Sequence, residues 1–219
     1  MGAKTWMLVY TKGDARETLR AGPSLDREAT LKLAGALFPG EKLAPLEDGD
    51  LSSTCPPDDE LCIGCFPGLW ILSAKECAID YPSRLPAPFI ASGSGGTLTL
   101  HVMYSVVDWF AFAQWQNGAL TRSLSLSPDS GVMEDIGTRF PFEEPYWAGQ
   151  HPVGDDRGRK YPLPFHPLDL GEAALREFFG YELEGLIDDT LLDPETVPLA
   201  QYKRSRLRSL SRSWWQFWR

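Results

Sequence analysis

The chain has 219 residues, 43% of them hydrophobic and 23% charged, and a formal net charge of −9. That length suits one folded domain with at most an appendage, and a chain of this size buries enough surface to fold without metal or disulfide. No apolar run approaches the roughly 20 residues that cross a bilayer, and an acidic body repels nucleic acid, which excludes a transmembrane segment and a nucleic-acid partner.

Thr5 to Thr11 reads as a buried strand. Ser24 is placed to cap a helix reaching about Leu37, with Asp26 and Glu28 in its first turn and Pro39-Gly40 as the stop. Residues 43–67 read as loop, and Leu69 to Ile79 as the next strand. Ser92-Gly-Ser-Gly-Gly96 reads as a flexible joint. A strand and not a helix follows it, so no helix N-terminus is available there to hold a phosphate. Thr97 to Val107 is β-rich. Trp109 to Trp115 and Ala119 to Leu126 then flank Gln116-Asn117-Gly118, and Asn-Gly between two such runs signals a hairpin because both residues tolerate positive φ. The first arm is apolar on both faces, as in a sheet covered by helices. The second alternates, with Leu120, Leu124 and Leu126 on one face and Thr121, Ser123 and Ser125 on the other.

Residues 127–167 read as one long loop rich in Pro, Gly and aromatic residues. Asp169 is placed to cap a helix with Glu172 as its capping-box partner and Gly185 as its end. The sum is an α+β fold: a mainly antiparallel sheet with a central Asn-Gly hairpin, covered by two or three helices. Residues 1–200 form one acidic globular domain and 201–219 a basic, Trp-rich tail.

Charge is segregated along the chain. Six of the 21 basic residues lie from Lys203 onward with no acid among them, which leaves 15 against all 30 acidic residues in the body. Wound as a helix from Lys203 to Arg219, the tail puts Leu207, Leu210, Trp214, Phe217 and Trp218 on one face. Arg204, Arg208 and Arg212 line its flank. Such a helix suits an anionic membrane interface or a groove on an acidic partner. Packing on the chain's own acidic body, or no fixed structure, are the plainer alternatives.

Two other constellations carry chemistry. Cys55, Cys62, Cys65 and Cys77 lie close in sequence, with Cys62-Ile-Gly-Cys65 as a C-x2-C turn. Four thiolates could enclose a tetrahedral zinc, and a redox pair is a further option, but free cysteines acting as small hydrophobes fit a reducing cytoplasm as well. The loop 127–167 gathers Glu134, Asp135, Glu143 and His151, the raw material of acid/base catalysis or a hard-cation site, without any standard catalytic motif. Solvated loop charges are the bland reading of the same residues.

Gly2-Ala-Lys-Thr-Trp6, Gly64-Cys-Phe-Pro-Gly68, residues 120–127, Phe140-Pro-Phe-Glu143 through Tyr146-Trp147, and Leu163-Pro-Phe-His-Pro167 together resemble a family of uncharacterised actinobacterial proteins over roughly residues 1–185. The resemblance implies a bacterial, intracellular, single-domain protein and no activity, ligand or catalytic residue. The reading that follows is a cytoplasmic, non-catalytic binding or regulatory domain. It docks on an acidic protein partner or the inner membrane surface through Arg204, Arg208, Arg212, Trp214, Trp215, Phe217 and Trp218. No cofactor is expected. The alternatives are a hydrolase or metal-dependent enzyme built on loop 127–167, and a zinc-stabilised module built on the four cysteines.

Overall fold

The computed structural model describes residues 2–153, 161–185 and 188–206. The first strand, β1 (Lys4–Thr11), alternates its side chains so that Met7 and Val9 enter one core and Leu8 and Tyr10 the other. Asp14 begins α1 (Ala15–Arg20) by accepting hydrogen bonds from the Arg16 and Glu17 amides. The cap of α2 (Arg27–Leu37) is Asp26, whose carboxylate accepts from the Ala29 amide, and not Ser24. Residues expected as loop then supply β2 (Glu41–Pro45), the short β3 (Gly49–Asp50) and β4 (Glu60–Phe66), followed by β5 (Leu69–Ser73). The expected fifth strand end is instead a 3-10 turn, Lys75–Cys77.

The Gly-rich stretch ends α3 (Ala87–Ser92) and enters β6 (Thr97–Tyr104). It is not a free joint: a Cβ on Gly96 would collide with the Thr11 carbonyl and the Tyr10 ring. Next come β7 (Trp109–Gln116) and β8 (Ala119–Ser127), antiparallel and joined by Asn117 at φ 51° and Gly118 at φ 83°. A register shift between Gln114 and Trp115 places Leu120 beside Trp115, in the opposite core from Leu124 and Leu126.

The long segment after β8 is more structured than its sequence suggests. It contains β9 (Gly131–Gly137), a 3-10 turn at Pro141–Glu143 and α4 (Glu144–Trp147). The cap of α5 (Pro167–Phe179) is His166, not Asp169, and the helix closes on Gly180 in the left-handed conformation at φ 81°, ahead of Gly185. Finally β10 (Pro198–Arg206) returns to the sheet, so a boundary at residue 200 falls inside a strand.

The strands form one antiparallel sheet in the order β2-β10-β4-β5-β1-β6-β7-β8-β9, with β3 also paired to β10. One face packs under α1, α4 and α5, the other under α2 and α3. That two-sided cover is why β7 is apolar from Phe110 to Ala113: Phe110 and Phe112 enter the first core, and Ala111, Ala113 and Trp115 the second. Helix α5 lies so close on the sheet that a Cβ on Gly171 would strike Met103 and Phe110, and His101 Nε2 donates to the Gly171 carbonyl at 3.0 Å. Among the described residues no helix is long and apolar enough to cross a membrane.

Candidate functional site

One buried cation, Arg122, ties two parts of the segment 127–167 to the sheet. Arg122 of β8 and Glu143 are both fully buried, and they pair in parallel: Nε to Oε1 at 2.9 Å and Nη2 to Oε2 at 2.6 Å. Arg122 Nη1 also donates to Asp135 Oδ1 at 2.6 Å and to the Ile136 carbonyl at 2.9 Å. Glu143 Oε1 in turn accepts from the Phe140 amide at 2.8 Å, which shapes the turn it sits in. Burial alone would raise the Asp135 carboxyl, but hydrogen bonds from Arg122 and Arg139 hold it below the ordinary range.

Glu134 lies on the other face of the sheet. It accepts from the Ser83 hydroxyl at 2.5 Å and the Ser83 amide at 3.0 Å, and also from the Ser123 hydroxyl. His151 stacks on Tyr146, ring centroids 4.1 Å apart. Of the four loop residues singled out as catalytic candidates, Asp135 and Glu143 meet at the Arg122 guanidinium, while Glu134 and His151 lie elsewhere. Each carboxylate is a structural tie, and among the described residues no hydrogen bond or ion pair links His151 to any of them. Arg122 is the residue sequence reasoning missed. Its signal was a charge in step with Leu124 and Leu126, at a position where the alternation calls for an apolar residue.

The cysteines do not converge. Cys62 and Cys65, three apart in β4, point to opposite faces of the sheet: Cys62 belongs to the first core, and Cys65 and Cys77 to the second. A strand cannot aim both sulfurs of a C-x2-C at one ion, so the four-cysteine zinc site is withdrawn. Among the described residues no group of metal-ligating side chains gathers. All four are free thiols, and burial pushes Cys62 and Cys77 up to about 12.

Strand β10 changes the reading of the tail. Arg204 has a side chain only 6% exposed. Its guanidinium lies 4.1 Å from the centre of the Phe38 ring and binds two carboxylates bidentately. The contacts are Glu41 at 2.8 and 3.1 Å and Glu76 at 2.8 and 2.7 Å. Desolvation works against the charge, yet these bonds hold the Arg204 pKa above its usual value, and Arg204 in turn draws the Glu41 carboxyl below its own. Lys203 pairs with Asp59 at 3.0 Å. The helix expected from Lys203 is thus a strand through Arg206, because Arg204 has partners on β2 and beyond β5 that a helical tail would forfeit. Arg204 leaves the set of partner-contacting residues. Arg208, Arg212, Trp214, Trp215, Phe217 and Trp218 lie outside the described residues.

A hollow of about 550 Å3 opens between the start of β1 and the segments after α5. Glu182, Glu184, Asp193 and Glu195 line it against Lys4, and Glu184 accepts from the Ala3 amide at 2.5 Å. Such a lining repels anionic ligands. Close by, burial pushes the Glu172 carboxyl up to about 7.

No curated protein and no solved structure matches the chain. Residues 5–202, from β1 into β10, match the family of unknown function DUF6928, and the chain belongs to that family.

Proposed function

We propose that the protein is a non-catalytic binding or regulatory module whose sheet anchors a C-terminal segment that docks on an anionic surface. What carries the reading is the division at Arg206. Before that residue, Lys203 and Arg204 of β10 are paired with the protein's own carboxylates Asp59, Glu41 and Glu76. Beyond it come three arginines, three tryptophans, one phenylalanine and no acid. Removing those three arginines leaves 18 basic against 30 acidic residues in the rest of the chain, so attraction to an anionic surface falls to the segment alone. Each arginine near an anionic bilayer contributes about 1 kcal/mol, and interfacial burial of the indoles adds to that. On this reading the segment winds as an amphipathic helix on binding. The protein works in a bacterial, actinobacterial cytoplasm, peripheral to the inner membrane surface, with an acidic protein groove as the other target of the same chemistry.

The candidate catalytic residues support a non-enzymatic role, since Glu134, Asp135 and Glu143 are held as ties within the fold. The test is co-sedimentation of the full chain, and of a chain ending at Arg206, with vesicles of anionic and of zwitterionic lipid. The full chain is expected to sediment with anionic vesicles only, and the shortened one with neither. Equal sedimentation of both chains defeats the proposal. Absence of sedimentation alongside capture of an acidic protein moves it from membrane to protein.

A further inference from the structure

Between α1 and α5, at the end of the sheet opposite Arg206, the floor of the fold changes character. Along β1, β6 and β7 the face beneath α5 is apolar or aromatic: Met7, Val9, Met103, Phe110, Phe112. At its end, Thr11 and Thr97 sit side by side in register, and so do Thr99 and Gln114. These four hydroxyl and amide side chains line a hollow of about 190 Å3, walled by Phe178 and Phe179 and rimmed by Asp14, Arg16 and Glu177.

Three observations give the hollow a chemistry. First, Thr99 and Gln114 are 5% and 8% exposed, yet the bond between them, Gln114 Nε2 to Thr99 Oγ1, is long at 3.4 Å. A side-chain amide offers two donors and an acceptor with two lone pairs, and a hydroxyl one donor and two lone pairs, so most of this capacity stays unused by the protein. Second, Phe178, packed edge-on with Phe140 and Phe142 at centroid distances of 5.5 and 5.4 Å, lines the hollow beside the polar floor. Third, Arg16 is neutralised by Asp14 at 3.2 Å and faces Glu177 at 3.9 Å, so the rim carries one excess negative charge and disfavours phosphates and carboxylates.

We propose that this hollow binds a neutral, polyhydroxylated ring of monosaccharide size. Hydroxyls of the ring meet Gln114, Thr99 and Thr97, and its apolar face lies on Phe178. The volume is below the roughly 300–1,000 Å3 of pockets for drug-sized ligands, which limits the occupant to a single ring. A free sugar and the terminal unit of a glycan present the same chemistry.

The test is a titration of the nitrogen-labelled full chain with glucose, galactose, mannose and a short glucan, following the Gln114 side-chain amide and the α1 amides by NMR. At least one sugar is expected to shift both sets, the glucan doing so only if the hollow takes a terminal unit. Gln114→Leu and Thr97→Val should each weaken that binding by about tenfold without lowering the thermal midpoint, since each leaves a ligand hydroxyl unpaired. A purely structural role for these residues would lower the midpoint instead. Thr97 is only half-buried, so its variant keeps the test open if Gln114→Leu fails to fold. Shifts by no sugar, shifts that survive both variants, or shifts caused by a purine nucleoside in place of a sugar overturn the proposal.

Discussion

Replacing Arg204 by alanine tests whether the end of β10 belongs to the body. The change removes four charge-assisted hydrogen bonds and the contact with Phe38, and it leaves Glu41 and Glu76 facing one another with no cation between them. Breaking a buried ion pair by deleting one partner costs about 3–5 kcal/mol. Glu41 and Glu76 retain 19% and 27% side-chain exposure, so water relieves part of their repulsion. The lost cation–π contact adds about 1 kcal/mol at a site this dry. Together these give a loss of about 3 kcal/mol in urea denaturation at neutral pH. The loss should shrink in acid. The Glu41 carboxyl lies below its ordinary value of 4.5 in the folded chain, so its share is fully present above that pH and disappears as pH falls through the folded pKa. Arg208→Ala, beyond the strand, should leave stability unchanged. A loss under about 1 kcal/mol for Arg204→Ala, or equal losses for the two variants, would refute the anchoring argument.

Other perturbations follow from the same structure. Arg122→Met should destabilise by about 3–5 kcal/mol because Glu143 stays buried without its counter-charge, and adding Glu143→Leu should restore most of that; equal stability of single and double variants in urea would contradict it. Glu172, whose carboxyl is pushed up to about 7 by burial, binds its proton more tightly folded than unfolded, so its contribution is full below pH 4.5 and is lost as pH rises through about 7. Glu172→Gln should therefore be more stable than the parent at pH 8 by about 2–3 kcal/mol and indistinguishable from it near pH 4, as read from thermal or urea midpoints. The thiols of Cys62 and Cys77, pushed up to about 12, should resist alkylation at neutral pH in the folded chain and react once it is unfolded. Mass spectrometry showing Cys77 labelled in native buffer would count against its buried placement.

Much of the sheet was legible because period-2 patterning and turn chemistry are local. The runs around β1, β6, β7 and β8 carried their own signal, and Asn117-Gly118 takes the positive φ values its residue types tolerate. The misses have a common cause in tertiary pairing. Strand β4 looked like loop because prolines and acids precede it and a C-x2-C interrupts it, yet β5 and β10 on either side supply its hydrogen bonds. Strand β10 looked like the start of a basic helix, because periodicity cannot reveal that Arg204 meets Glu41 and Glu76, 163 and 128 residues away. His166 caps α5 through its ring nitrogen, a rarer partner than the Asp169 carboxylate. The catalytic candidates do not gather into one cluster because sequence proximity in loop 127–167 says nothing about face: Glu134 and Asp135 are neighbours, and a strand sends them to opposite sides of the sheet. Arg122 was readable in principle as a charge at an inward position.

The most direct measurement is the intrinsic tryptophan emission of the full chain, and of a chain ending at Arg206, during titration with anionic vesicles whose acyl chains carry bromine. Quenching of the full chain alone is predicted, because Trp214, Trp215 and Trp218 enter the interface while the five remaining tryptophans stay with the body. Equal quenching in both chains would place the membrane contact on the body and contradict the account.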